Sequence, residues 1–387
     1  MQPPPGYTTA PTNKVYRLRR SLYGLKQASR QWNTELSLKL IEHGFVQSNH
    51  DHCLFLKHSS DHSLFLLIYV DDVLITRTYE SDIISVKKYL HSQFTVKDIG
   101  VAKYFQGLEI ARGEKGTYVN QRKYILDIIK YVGLIGARSV SVPIPKGTKL
   151  SQISSPPFAD LERYRRLIGR LLYLNLTRPD ITYGIQQLSQ FVHSPCQIHW
   201  DTAIHLLRYL KGCPSLGLYF PVQQNFTLAA YSDADWASCS DTRRSLTGFC
   251  VYLGDTLISW KTKKQTTVSR STAEAEYRSL ATTVCEVTWI NYILKDFAIT
   301  IPLPIPLWCD NKSALHICAN PVFHERTKHL EIDCHIVINK FKGGFVLPQH
   351  ISSSQQVADI FTKALAAPQF HHLVSKLGLG DLHQLPA

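Results

Sequence analysis

The stretch LFLLIYVDDVLIT, Leu64–Thr76, is apolar on both sides of two adjacent carboxylates, Asp71 and Asp72. It predicts a strand, a tight turn and a second strand. Before it, residues 22–43 carry the spacing of an amphipathic helix. After it come a helix near 80–92, a strand pair within KYFQGLEIARGEKGTYVNQ and a helix over KYILDIIKYVGL. SVPIPKGTKLSQISSPPFAD, rich in Pro, Ser and Gly, predicts a linker. Residues 161–212 predict a helical block that Gly212 and Pro214 end. The pattern then changes: FTLAAYSDADW, TGFCVYLGD and TLISWKTKKQ read as three short strands, and a long helix follows at about 272–297. PIPLWCD predicts a further strand and NKSALHICAN a helix. Strands first, then alternating strand and helix, describe a mixed sheet with helices packed on it. The expected class is α+β / α/β, with divisions at 1–140, 141–222 and 223–387.

Composition narrows the class. At 387 residues and 44% hydrophobic, the chain is long enough for two or three domains with cores. Its formal net charge of +13 suits a polyanionic partner, most simply nucleic acid, although a solvated basic surface gives the same total. Nine scattered cysteines without a CxxC pair suit reduced thiols in a nuclear or cytosolic setting. The start, MQPPPGYTT, has neither the charged nor the apolar region of a signal peptide, and the apolar run Leu64–Val70 is too short to span a bilayer.

Asp71 and Asp72 at a hairpin tip repel each other unless a cation neutralises them, and hard ions such as Mg²⁺ combine carboxylates with substrate phosphates. An ordinary Asp-rich turn is the alternative. The pair is not alone. LYGLKQASRQW (Leu22–Trp32), YVDD (Tyr69–Asp72), VKDIGVAKYFQGLEI (Val96–Ile110) and TRPDITYG (Thr177–Gly184) occur in that order. Together they resemble the polyprotein of copia-type retrotransposons, a family of reverse transcriptases, over essentially the whole chain. The resemblance implies a partial palm and thumb followed by a helical connection. It makes Asp71 and Asp72 the palm hairpin carboxylates, and it places Gln27 and Arg30 in the block that contacts template and incoming nucleotide. Ser29 stands where the family usually has Pro. Two-ion phosphoryl transfer needs carboxylates from more than one strand. The acids before Asp71 are Glu35, Glu42, Asp51 and Asp61, none at the end of an apolar strand. The expectation is a chain that begins after the missing aspartate, with an incomplete polymerase site that a fuller Pol protein could complete.

Four acids stand out after residue 225: Asp233, Glu276, Asp310 and Asp359. Singly each reads as a turn, surface or helix-cap residue. YSDADWA, STAEAEY, LWCDN and HERTKH with ADIFTKAL resemble, in the same order, the ribonuclease H domain of those retrotransposons. That resemblance implies an Asp-Glu-Asp-Asp set holding two Mg²⁺ (or Mn²⁺) ions and cutting the RNA of an RNA–DNA hybrid. Asp233 is preferred to Asp235 because it comes directly off the strand. Glu276 is preferred to Glu274 because Ser271 and Glu274 have capping-box spacing. His350, in the loop-like QHISSSQQ, is a candidate for proton transfer or product release. Lys261 and Lys263 beside Trp260, and Arg326 and Lys328 in HERTKHLEIDCH, are candidate phosphate contacts; a solvated hairpin edge is the other reading of the lysines. HDHC (His50–Cys53) and His324–His335 lack the paired spacing of a structural zinc site. The implied partners are an RNA template and an RNA–DNA hybrid, with no membrane. The implied location is a cytoplasmic particle or the nucleus. A catalytically dead nucleic-acid-binding remnant is the rival reading.

Overall fold

The computed structural model describes residues 22, 24–59, 62–77, 79–153, 155–319 and 331–381. They form two compact units that divide between Val101 and Ala102.

The first unit holds α1 (Ala28–Glu42), β1 (Val46–Gln47), β2 (Leu54–His58), β3 (Ser63–Tyr69), β4 (Asp72–Arg77) and α2 (Glu80–Gln93). The strands form an antiparallel sheet in sequential order. Along β3 the side chains alternate, so Leu64, Leu66 and Ile68 are buried with Leu36, Leu40, Phe55, Val86 and Leu90 from the neighbouring elements. The Tyr89 hydroxyl of α2 donates to the Lys39 carbonyl of α1 at 2.7 Å. The helix expected over 22–43 starts only at Ala28. Gly24 has φ +89°, a left-handed conformation that cannot continue into a right-handed helix.

The second unit contains two five-stranded sheets. One joins β5 (Tyr104–Phe105), β6 (Leu108–Gly113), β7 (Gly116–Asn120), β8 (Leu216–Pro221) and β14 (Leu379–Asp381), antiparallel, in the order β14-β8-β7-β6-β5. Gly217 lies against β7 so closely that a Cβ there would fall 2.4 Å from the Val119 carbonyl oxygen. Four helices lie between these strands in sequence: α3 (Arg122–Val132), α4 (Leu161–Leu174), α5 (Thr182–Ser189) and α6 (Gln197–Gly212).

The other sheet joins β9 (Leu228–Asp235), β10 (Leu246–Leu253), β11 (Thr256–Lys264), β12 (Ile305–Cys309) and β13 (Val346–His350). Its order is β11-β10-β9-β12-β13, with β9–β11 antiparallel and β12 parallel to both β9 and β13. The associated helices are α7 (Thr272–Asp296), α8 (Lys312–Ala319), α9 (Glu331–Lys342) and α10 (Ala367–Lys376). Both faces of this sheet are covered. Phe249 and Val251 pack with Tyr277, Leu280, Val284 and Val287 of α7. Cys250 and Tyr252, on the opposite face, belong to the core of α4, α5 and α6. Burial on both sides explains why β10 reads LTGFCVYL, nearly continuous rather than alternating.

The expected divisions at 140 and 222 do not separate compact units. Strands on either side of 140 pair, β7 with β8, strands on either side of 222 pair, β8 with β14, and the helical block shares its core with the second sheet. The segment read as a linker is anchored too. Phe158 stacks on Trp200 with ring centroids 4.7 Å apart, and Ile144 is buried. Among the described residues no helix is long and apolar enough to cross a membrane.

The motif TRPD supplies a buried ion pair to this core. Arg178 and Asp180 are both fully buried; Arg178 Nε and Nη2 donate to the Asp180 oxygens at 2.9 and 2.7 Å, and Nη1 donates to the Cys213 carbonyl at 2.8 Å. The Tyr209 hydroxyl donates to the same carboxylate at 2.7 Å. Breaking such a pair strands a buried charge, at about 3–5 kcal/mol, whereas replacing both partners with apolar residues costs far less. Asp180→Ala should therefore lower the unfolding free energy, measured in denaturant, by that amount, and Arg178→Met with Asp180→Leu should recover most of it. A loss below about 1 kcal/mol in the single variant would contradict this role.

Candidate active site

Two carboxylate clusters come out of this fold, one in each unit. In the first, β3 and β4 pair through Tyr69 and Asp72, leaving Val70 and Asp71 as the turn. Val70 has φ +50°, a strained conformation for a β-branched residue. Trp32 of α1 donates its indole N–H to the Val70 carbonyl at 2.7 Å, which ties the turn to the helix. Asp71 and Asp72 are exposed, as are Gln27 and Arg30 at the start of α1. Asp71 and Asp72 join no group of three or more His, Cys, Asp or Glu side chains close enough to share an ion, among the described residues.

In the second unit the four expected acids converge from four separate elements. Asp233 lies near the end of β9, on the face opposite α7, since the alternate residue Ser232 donates its hydroxyl to Ser279 of α7 at 2.9 Å. Glu276 lies in the first turns of α7. Asp310 follows the last residue of β12, and Asp359 lies in a 3-10 turn at Val357–Phe361. Asp233, Glu276 and Asp359 are buried, at 1%, 6% and 4% exposure, and Asp310 is half-buried. Ligand atoms of Glu276, Cys309 and Asp310 lie within 4.8 Å of one another.

Hydrogen bonds fix these side chains. Thr362 donates its hydroxyl to Asp233 Oδ2. Ser353 donates to Asp310 Oδ2 at 2.7 Å. Lys363 Nζ sits 2.6 Å from Asp359 Oδ1 and 3.3 Å from Asp233. None of these three partners was singled out in the sequence. The one local signal was the i,i+4 spacing of Asp359 and Lys363.

The electrostatics follow from burial. Desolvation raises the Asp233 carboxyl, with Lys363 acting against it. Glu276 is pushed up to about 9, first by burial and then by the charges of Asp233 and Asp310. Asp359 is pushed up to about 7, by burial and then by Asp233, and Lys363 offsets part of this. A group of carboxylates that raise one another's pKa is short of positive charge. The four carboxylates offer hard oxygens on several elements and fit divalent ions of the Mg²⁺ type, while the neighbouring Cys309 thiol is a soft donor.

The two ambiguities separate structurally. Glu274 serves the helix start: Ser271 Oγ accepts from the Glu274 backbone N–H at 3.1 Å, the Glu274 carboxylate accepts from the Arg270 N–H at 2.7 Å, and Arg278 pairs with it at 3.0 Å. Glu276 is the one that feels Asp233 and Asp310. Asp235, half-buried with its carboxyl raised by desolvation, adjoins Ser238.

His350 departs from expectation. It is the exposed last residue of β13, in register with Cys309, rather than part of a loop. Ladder bonding holds it there, since the Ile351 N–H donates to the Cys309 carbonyl at 3.1 Å. That register places His350 one residue from alignment with Asp310. Lys261 and Lys263 are exposed on β11, an edge strand, while Trp260 packs on the core. Arg326, Lys328, His324 and His329 lie outside the described residues. In HDHC, Asp51 accepts from the Cys53 N–H at 2.9 Å, the geometry of an ordinary turn.

Residues 1–146 match the family model described as reverse transcriptase (RNA-dependent DNA polymerase). The retrovirus-related Pol polyprotein from transposon RE1 of Arabidopsis thaliana is 41% identical over 98% of this chain, and that from transposon RE2 of the same plant is 39% identical over 98%. The chain spans about a quarter of those relatives, 26% of each. Among solved structures, the N-terminal ribonuclease H domain of a Mycobacterium tuberculosis protein, fused to maltose-binding protein, aligns over 39% of this chain and 98% of its own. The identity is 12% and the TM-score 0.27, too low to carry weight. On the identity that runs along almost its whole length, the chain belongs to the copia-type retrovirus-related Pol polyproteins of transposons.

Proposed function

We propose that residues 223–387 carry a ribonuclease H-like site that hydrolyses the RNA strand of RNA–DNA hybrids. The observation behind it is the convergence of Asp233, Glu276, Asp310 and Asp359 from two strands, a helix and a turn, three of them buried. A sheet of three antiparallel strands continued by two parallel ones, with α7 across one face, is the scaffold that the ribonuclease H resemblance implies. The four carboxylates would hold two divalent ions, which when bound activate a water and stabilise the leaving oxygen. Thr362 and Ser353 hold the carboxylates of Asp233 and Asp310 in place. Lys261 and Lys263 on the edge strand are proposed phosphate contacts, and His350 is a proposed aid to product release.

For the first unit we infer a palm hairpin whose third ligand is not among the described acids upstream of it; Asp61 lies outside the described residues. Glu42 pairs with Lys39 at 2.8 Å, Asp51 closes its own turn, and Glu35 is exposed on α1. On this reading Asp71 and Asp72 contribute to polymerisation with a carboxylate from outside the described part of this unit, such as one from a fuller Pol protein.

Two assays test these readings. With Mg²⁺ or Mn²⁺ the full chain should cut the RNA of a hybrid while sparing single-stranded RNA. Asp310→Asn, which removes a ligand charge and keeps the shape, should lose at least about 100-fold in rate with hybrid binding intact. Glu274→Gln should keep most of the activity and lose about 1 kcal/mol of stability. Well-folded but inactive wild type would support the dead remnant instead. In the second assay, the chain alone should not extend a primer on an RNA template. Extension that Asp71→Asn abolishes would overturn the missing-ligand reading.

A further inference from the structure

Lys363 is the one cation hydrogen-bonded to the carboxylate quartet among the described residues, and it sits between two of its members. Its ammonium reaches Asp359 at 2.6 Å and Asp233 at 3.3 Å, from a side chain 36% exposed. The neighbouring Thr362 donates to Asp233, so consecutive residues of the turn clasp the same carboxylate. The pairing crosses from the turn to β9 over 130 residues of sequence. It is therefore a feature of the assembled site rather than a local surface pair.

We infer that Lys363 is a resident counter-ion of this site, which a divalent ion must displace in order to bind Asp233 and Asp359. The inference rests on the metal-site reading above and adds a control on loading. The physical basis is competition for the same lone pairs. A divalent ion of the Mg²⁺ type needs carboxylate oxygens at about 2.0–2.1 Å. An ammonium bridging those oxygens occupies the position and neutralises part of the attracting charge. Lysine suits the task, because a compact charge on a flexible four-carbon stem swings aside, whereas an arginine fork is held by its planar geometry. The metal-free protein thus keeps two buried carboxylates from facing each other unscreened, at the cost of weaker ion binding. Lys363 acts through Asp233 and Asp359 and does not itself meet the substrate.

The test is Mn²⁺ binding to the full chain, followed by electron paramagnetic resonance of the free ion, together with thermal unfolding in chelator. Lys363→Met keeps the stem and removes the charge. It should tighten the first Mn²⁺ dissociation constant about tenfold and lower the metal-free melting temperature. Lys363→Arg keeps the charge on a fork that is harder to displace, so it should raise the first Mn²⁺ dissociation constant relative to wild type. A purely structural lysine would lower the melting temperature alone, so Mn²⁺ affinity that is unchanged or weaker in Lys363→Met overturns the inference. Glu276→Gln separates this from the underlying reading. If wild-type Mn²⁺ binding survives that change, the ion is not at the quartet, and both fall. Should Lys363→Met fail to fold, the ¹⁵N ammonium resonance of Lys363 in the wild type, assigned by its loss in Lys363→Arg, provides the readout. It should shift on Mg²⁺ addition, and a resonance that stays put overturns the inference.

Discussion

The repulsion among carboxylates buried at one end of the second sheet is the constraint around which the second unit is organised. Burying one ionised carboxylate is expensive, and placing a second beside it adds a Coulombic cost that falls only with compensation. Asp233, Glu276 and Asp359 are nevertheless all buried. They stay there because each is fixed by an element with other reasons to exist: β9 by pairing on both sides, α7 by its apolar face, and the turn at 357–361 by Val357, Ile360 and Phe361 in the core. The scaffold over-determines a locally unfavourable arrangement, as expected where like charges are kept for chemistry.

The same logic distinguishes the two buried charge systems of this unit. Arg178 and Asp180 are matched one to one, with Tyr209 and a backbone carbonyl completing their hydrogen bonds. That pair is closed and satisfied. The quartet is open: two of its carboxylates share one lysine, and Asp310 stays half-exposed at the rim. The imbalance is what the proposed cation site rests on, whereas the balanced pair reads as structural.

Much of this was legible in the sequence where information is local. The apolar flanks of Asp71 and Asp72 gave the hairpin, and Ser271 with Glu274 gave the start of α7, which left Glu276 for the quartet. What depends on contacts distant in sequence was not legible. Nothing local marks β8 as a partner of β7, so the expected boundary at 140 fell inside a sheet. Lys363 shows only its i,i+4 relation to Asp359; its approach to Asp233 exists once β9 and the turn meet. His350 reads as a loop residue because the Ser-rich ISSSQQ follows it directly, while the strand that ends at His350 carries a mid-strand proline, Pro348, on the sheet edge.

The account turns on a carboxylate group that is destabilising until a cation arrives. Glu276 keeps its proton up to about pH 9 in the folded state, against an ordinary value of 4.5. The folded state therefore binds a proton that the unfolded chain has released, and stability falls as pH rises through that window. The direct measurement is the unfolding free energy of wild type and Glu276→Gln from pH 5 to pH 9, first in chelator and then with Mg²⁺. Without metal, wild type should lose stability with rising pH more steeply than Glu276→Gln and end less stable than the variant at pH 9. Mg²⁺ should restore wild type and do little for the variant. A metal-free Glu276→Gln protein that is the less stable of the two at pH 9, together with a wild type indifferent to Mg²⁺, would contradict it.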